Sequence, residues 1–560
     1  MKALLLWLCL AVGTLTACGA SASSNPDAEP ICQRHCSDDL RQVLDCNDAV
    51  VEACEGANAC NATQAACTNA CEVAEANHRS IGCDYYAVHM DTYQPKYCFA
   101  VFVANTWTAP AKISVEYDGK PLTTVESFTR LPAGSGPSLT YAPYNAANGI
   151  APGEVAVLFL GGENGAPPRC PVPTAVPTAN RIGSAVAGAF RIKTDVPVVA
   201  YQISPYGGGV AGITGGSLLL PSSAWHTQYV AVNAAPHATD PPTGKPSLNI
   251  VAREDGTTAT IIPTADVTGG GGIPSGPAGA PITISLAKGQ HAQISQDAEL
   301  TGSLVTANKP IGVMAGQTCM SMPATASFCD HGEQMIPPTR ALGHSYVGVM
   351  YRPRVASETS TFWRLVGAAD GTELTWSTDV GGPSTLRKGQ SVMFQTGTPF
   401  QVSSQDKDHP FMLFTYMTGS QYVSDGYGDP DFVLGVPPEQ YLKQYVFFAD
   451  PTYPETNLVV VRARAADQQF KDVKLDCLGA ITGWQPVGTD YEYTRVDLAT
   501  GDFAAIGACS TGRHEISSAA PFGLWVWGWG TPLTTSFTRN VSYGYPAGMN
   551  IAPINDIIIN

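Results

Sequence analysis

The sequence predicts an all-β protein: four tandem β repeats of roughly 100–140 residues, behind a small disulfide-stapled α-helical hairpin. Three observations lead there. Glycine (56) and proline (43) are frequent among the 560 residues, and charged residues are only 14%, a mixture that suits short strands joined by tight turns. Hydrophobic residues at 44% are enough for a packed core and too many for a disordered chain. Finally, four landmarks return in fixed order along residues 83–560, which is the mark of repeated supersecondary units.

The chain opens with Lys2 and the apolar run Ala3 to Val12. That run has the length of a secretory h-region and falls short of the roughly 20 apolar residues a spanning helix needs. Leu15-Thr16-Ala17-Cys18 follows, and it resembles the lipobox of bacterial lipoproteins. The resemblance implies a signal peptide at 1–17, cleavage before Cys18, and a lipid (palmitate among its chains) on Cys18. Gly19 in the next position implies the outer membrane of a bacterial cell envelope. Residues 18–30 carry Ser21, Ser23 and Ser24 and read as a flexible tether, with a root-mean-square reach of roughly 17–21 Å.

With Cys9 in the leader and Cys18 lipidated, fourteen of the sixteen cysteines remain. An even number in an exported chain reads as disulfides. In the module at 31–82, Cys32 and Cys36 are four apart, as are Cys67 and Cys71, so each pair would share one helical face. Two antiparallel helices clamped by Cys32–Cys71 and Cys36–Cys67 are the expectation, because so small a piece has little core of its own. A zinc site is the alternative, though the module has no Cys-x2-Cys pair. Further along, Cys319–Cys329 and Cys477–Cys509 are the expected bridges, with Cys83 or Cys170 reaching Cys98.

The repeats begin near residues 84, 228, 345 and 444, giving units at about 84–227, 228–344, 345–443 and 444–560. Each opens on a Tyr-led strand, at Tyr85, Tyr229, Tyr346 and Tyr445. Asp-Gly turns recur at Asp118-Gly119, Asp255-Gly256 and Asp370-Gly371, and Lys-Gly-Gln turns at Lys288 and Lys388; Asp-Gly between strands signals a hairpin. Each unit then reads as a polar strand, a turn ending in proline (Pro197, Pro310, Pro410, Pro521) and an apolar strand. Two architectures suit such units: sandwich-like modules in series, or a closed propeller-like ring.

The net charge of −16 with a sequence pI near 5.0 excludes nucleic acid as a partner, since phosphate recognition needs a basic face. No His-Glu-x-x-His, Gly-x-Ser-x-Gly or Walker-type motif is present, so the chain is not expected to be an enzyme or to carry a cofactor. Cys329-Asp330-His331 has reactive residue types, but Cys329 has a disulfide partner in Cys319. Trp525, Trp527 and Trp529 share one face of a strand. Core packing is the expectation for Trp525, while Trp527 and Trp529 are candidates for an exposed, sugar-stacking platform. Asp425, Asp429 and Asp431 sit in one Gly-rich loop and are a candidate calcium set, although their spacing matches no EF-hand and acidic turns are common.

The repeated region resembles the N-terminal domain of the IgG Fc-binding protein family. The segments that carry the likeness are Pro197-Val198-Val199-Ala200-Tyr201, Gly302-Ser303, Asn308 to Val313, and Pro451 to Asn457. The resemblance implies extracellular, non-enzymatic binding and offers no catalytic residues to carry over. The leading expectation is a surface-anchored binding or adhesion module for an extracellular protein (Fc-like) or a glycan, tethered to the membrane through its lipid. The alternatives are a structural coat protein of the envelope, or an exported hydrolase using carboxylates such as Asp425, Asp429 or Glu455, which would need a pair about 5–10 Å apart in a cleft.

Overall fold

Proline placement decides how the strands of this protein bend. Four long hairpins organise the β body: β1 (Phe190–Ser204) with β2 (Gly215–Leu218), β3 (Leu304–Met320) with β4 (Asp330–Ile336), β5 (Phe411–Met417) with β6 (Asp431–Leu434), and β7 (Gly512–Trp529) with β8 (Ser542–Pro546). The computed structural model describes residues 33–163, 169–237, 244–326, 328–423, 426–533 and 539–559. The signal peptide, Cys18, the tether, Cys32 and Asp425 lie outside the described residues.

Pro197, Pro310 and Pro521 fall inside β1, β3 and β7. The expected turn is therefore a bend in one continuous strand. Proline removes a ladder N–H without reversing the chain, and the partner strands shift register opposite each of these prolines. The first half of β1 pairs with Gly82–Ala87 and Ile113–Tyr117; the second half pairs with Phe99–Asn105 and β2. One strand thus serves two half-sheets, and the sheet curls. Only at Pro410 does the strand break in two, into Phe400–Ser404 and β5, which lie in separate four-stranded sheets.

The Tyr-led strands and the prolines meet through one repeated contact. Each tyrosine hydroxyl donates to the carbonyl of the residue after a landmark proline: Tyr85 to Val198 (2.7 Å), Tyr229 to Ile311 (2.6 Å), Tyr346 to Phe411 (2.7 Å) and Tyr445 to Phe522. At the last three positions the same hydroxyl accepts the N–H of the residue three before it: His226, Gly343 and Leu442. The clasp stands in for the ladder bond that proline cannot make, deep in the core. Replacing Tyr346 by Phe leaves a buried N–H and carbonyl unpaired, so Y346F is expected to cost about 1–3 kcal/mol, measured by thermal or urea unfolding.

The architecture is mostly β, in several curled sheets, and it does not form a clear closed propeller. Neighbouring sheets share material: Ala185–Gly188 pairs with Gln290–Ser295 of the next sheet. The returning strands pack side by side in a cycle, β2 on β4, β4 on β6, β6 on β8 and β8 on β2. The two ends of the β body meet as well: Ser80 donates its N–H to Met549 and Ile551 donates to His78.

The Cys-rich module is not a helical hairpin. It is built of short strands (His35–Cys36, Gln42–Leu44, Val50–Ala53, Asn58–Asn61 and Ala66–Asn69) and one helix, α1 (Ala70–Asn77). Turn chemistry overrides the helix propensity of its alanines. Asp45 Oδ1 accepts the N–H groups of Asn47 and Ala49, and Asn61 Oδ1 those of Thr63 and Gln64. Such side-chain bonds draw the backbone into turns. Asn69 caps α1. The bridges follow this geometry: Cys36–Cys60, Cys54–Cys67 and Cys71–Cys83. Cys67 lies on a strand and Cys71 on the helix, so they share no helical face, and neither Cys32–Cys71 nor Cys36–Cys67 forms. Cys71–Cys83 anchors the module to the first strand of the β body. Elsewhere Cys98 bonds Cys170, Cys319 bonds Cys329, and Cys477 bonds Cys509.

Candidate functional site

The cysteine module sits against the β body where the two ends of that body meet, and a cavity of about 230 Å³ remains between them. Its apolar wall comes from Val73 and Ala74 on α1, Leu40, Ile81 and Trp107. Pro197 and Pro521, two of the strand-bending prolines, form part of the opposite side. Trp107 is fixed by its indole N–H, which donates to the Gly56 carbonyl at 3.0 Å, and by the Arg41 guanidinium 5.8 Å from its ring. Arg41 in turn donates to the Thr106 carbonyl at 2.6 Å.

Charge rims this cavity. Lys443 pairs with Asp38 at 2.9 Å across the gap between module and body. Arg79 reaches only the Asp38 backbone carbonyl, at 3.4 Å. Burial pushes the Arg79 guanidinium below its ordinary pKa, and the Asp38 charge offsets this only in part. An arginine that is desolvated without a bidentate carboxylate is poised to accept one from a ligand. Apart from Pro197 and Pro521, these residues carried no sequence signal: Lys443 lies 405 positions from Asp38, and the docking of the module brings them together.

A second, polar cleft runs beside the Cys71–Cys83 bridge. Its central charges are already paired: Arg191 donates to both Asp84 oxygens at 2.8 and 2.9 Å, and Ser222 donates to Asp84 Oδ2 at 2.8 Å.

The residues singled out in the sequence take other places. Trp527 and Trp529 are buried at 2% and 0% exposure, so they form no sugar platform. Both faces of β7 are covered there: Tyr351 lies 5.0 Å from Trp527 and 6.0 Å from Trp529, and Trp529 donates to Glu455 Oε2 at 3.1 Å. Trp525 is buried too, donating to the Leu434 carbonyl. Glu455 is held by Arg352 at 2.5 Å and is 4% exposed, so it lines no open cleft. Asp429 and Asp431 are buried in the β body rather than displayed on a loop.

Among the described residues, one three-group set has metal-ligand atoms within reach of each other: Asp476, Cys477 and His514. The Cys477 sulfur is committed to Cys509, and the Asp476 carboxylate accepts from His514 Nδ1 at 2.9 Å, so the set reads as structural.

The model of the family described as "IgGFc binding protein" matches residues 215–528, from the start of β2 to the penultimate residue of β7. The chain is similar to the IgGFc-binding protein of Homo sapiens, 27% identical over 302 residues, which is 53% of this chain and 5% of that protein. The chain therefore spans a small part of the curated relative it matches. No solved structure matches. A family match over more than half of its residues, spanning β2, the β3–β4 and β5–β6 hairpins and nearly all of β7, shows that this chain belongs to the IgGFc binding protein family.

Proposed function

We propose that this chain is a non-enzymatic binding module for an extracellular protein, exported, oxidised and held at the bacterial outer membrane by a lipid on Cys18. The observation that carries the binding role is the family match over residues 215–528. The similar human protein is named for binding IgG Fc, which makes Fc the first ligand to test. In this reading the β body consists of four units of one plan, each clasped by its tyrosine and its proline.

The contact site in this proposal is the cavity between module and body. Small-molecule pockets run to about 300–1,000 Å³, so 230 Å³ suits one or two anchoring side chains of a protein ligand better than a free metabolite. An apolar floor with a rim of mixed charge, where Asp38 and Asp39 stand beside Arg79 and Lys443, favours an aromatic or aliphatic anchor beside a carboxylate that reaches Arg79.

The test uses soluble residues 19–560 against immobilised IgG Fc, a panel of extracellular matrix proteins and a glycan array. Saturable binding to a protein supports the reading; saturable binding to glycans alone, or to nothing on the panel, contradicts it. The anchor is tested separately. Full-length protein is expected to incorporate alkyne-palmitate and partition with membranes, and C18S to do neither; label retained by C18S contradicts the lipid assignment.

A further inference from the structure

Where β2, β4, β6 and β8 begin lies a group of buried carboxylates that, among the described residues, have no cation committed to them alone. Asp330 opens β4, Asp431 opens β6, and Asp429 stands two residues before it; all three are buried, with exposures of 0%, 0% and 3%. Asp429 and Asp431 both act on Asp330. Asp330 is held in place by the Thr214 N–H, which donates to its Oδ1 at 2.9 Å, and its Oδ2 lies 3.4 Å from Ser542 Oγ. Ser542 Oγ also donates to the Asp429 carbonyl at 2.5 Å, and Thr214 Oγ1 donates to the Ser542 carbonyl at 2.6 Å. Four hairpins thus each contribute an oxygen-bearing residue to one spot.

Two observations separate this group from an ordinary acidic cluster. Asp429 Oδ1 and Asp431 Oδ2 are buried and have no hydrogen-bond partner among the described residues, although buried polar atoms are nearly always paired. The cation that bears on Asp429 is Arg354, and its guanidinium is already committed to Glu358, the Thr418 hydroxyl and the Tyr427 carbonyl. Buried carboxylates without a counter-charge are expensive. They resolve that cost by holding a proton or by holding a cation.

We propose that Asp330 and Asp429, with the neutral oxygens of Ser542 and Thr214 beside them, bind one divalent cation of the calcium class that pins the four returning strands together. The donor set is all oxygen, which selects a hard cation over zinc or copper. Two carboxylates on a calcium-sized ion leave a neutral site, and several of the remaining ligands are backbone or hydroxyl oxygens, as calcium accepts. Magnesium, which keeps much of its water, is disfavoured in so closed a place. The site differs from the loop set Asp425, Asp429 and Asp431 in joining Asp429 to a residue about a hundred positions away, on another hairpin.

The test is thermal unfolding of the soluble chain after treatment with EGTA, titrated with calcium chloride or with magnesium chloride. Calcium is expected to raise the melting temperature saturably, by about 2 °C at a hundredfold excess over Kd, and magnesium to do so far less. D330N and D429N are expected to lose that rise. In EGTA they should melt no lower than the stripped native chain, because each removes an uncompensated buried charge; D467N, at an exposed position, should respond as the native chain does. Calorimetric titration of the native protein, expected to give about one calcium per chain, keeps the proposal testable should a variant misfold. No calcium-dependent shift in the native chain overturns the proposal, as does an undiminished shift in both variants; either result would mean that protons occupy the place assigned to the cation.

Discussion

Replacing Glu358 by Gln is expected to be among the most damaging single changes to this protein, lowering its stability by about 3–5 kcal/mol. Glu358 and Arg354 form an ion pair with both side chains fully buried. Glu358 also accepts the Tyr351 hydroxyl at 2.7 Å and the Arg354 N–H at 2.7 Å. A neutral amide in its place leaves a guanidinium inside the core without its hydrogen-bonded carboxylate. Burial alone would push the Glu358 carboxyl up, but Arg354 and the surrounding hydrogen bonds hold it below the ordinary 4.5. A depressed folded-state value means that the carboxylate's stabilisation is present above the unfolded value and fades as pH falls through the folded one. The gap between native protein and E358Q is therefore expected to be full at pH 6–7 and to close in acid below about pH 4. Denaturant unfolding at both pH values reads this directly, and a gap that stays constant into acid would contradict the pairing.

Removing the Trp529 indole is the second large effect. W529A is expected to cost about 3–5 kcal/mol, because the ring is fully buried against Tyr351, with the Arg352 guanidinium 5.0 Å from its centroid. The loss also unties Glu455, to which Trp529 donates and which lies beside Asn457 on the strand that pairs with β7. A sugar-stacking platform would behave in the opposite way, since truncating an exposed indole changes stability little and ligand affinity greatly. Melting temperature and glycan binding of W529A, measured together, distinguish the two.

The landmarks that revealed repetition in the sequence are the groups that build the clasp. Tyr346 and Pro410 were readable as recurring residues, but the bond from Tyr346 to Phe411 spans 65 positions and that from Tyr85 to Val198 spans 113. Periodicity shows that such residues recur without showing that they touch. The prolines read as turns because proline interrupts a ladder; in three units the interruption is absorbed as a bend, since the strand beyond it finds a new partner.

The cysteine module misled for a local reason. The alanine-rich stretch with cysteines four apart matches a helix, whereas Asn61 draws its first residues into a turn and only Ala70–Asn77 becomes helical. The tryptophans misled for a topological one. A period of two places three indoles on one face, but when both faces of a strand are covered that face is interior. The cavity at the module boundary and the grouping of Asp330 with Asp429 left no trace in the sequence, because each is made by segments that only the folded chain brings together.

The central claim is that this protein works by contact, at the seam between its cysteine module and its β body. The most direct test is the affinity of R79Q/K443Q for the protein ligand captured by the native chain. These side chains rim the cavity and neither forms part of the hydrophobic core, so the variant is expected to melt within about 1–2 °C of the native protein. The account predicts affinity at least tenfold weaker, a loss of about 1.4 kcal/mol or more. An unchanged Kd in a variant that folds normally would contradict it.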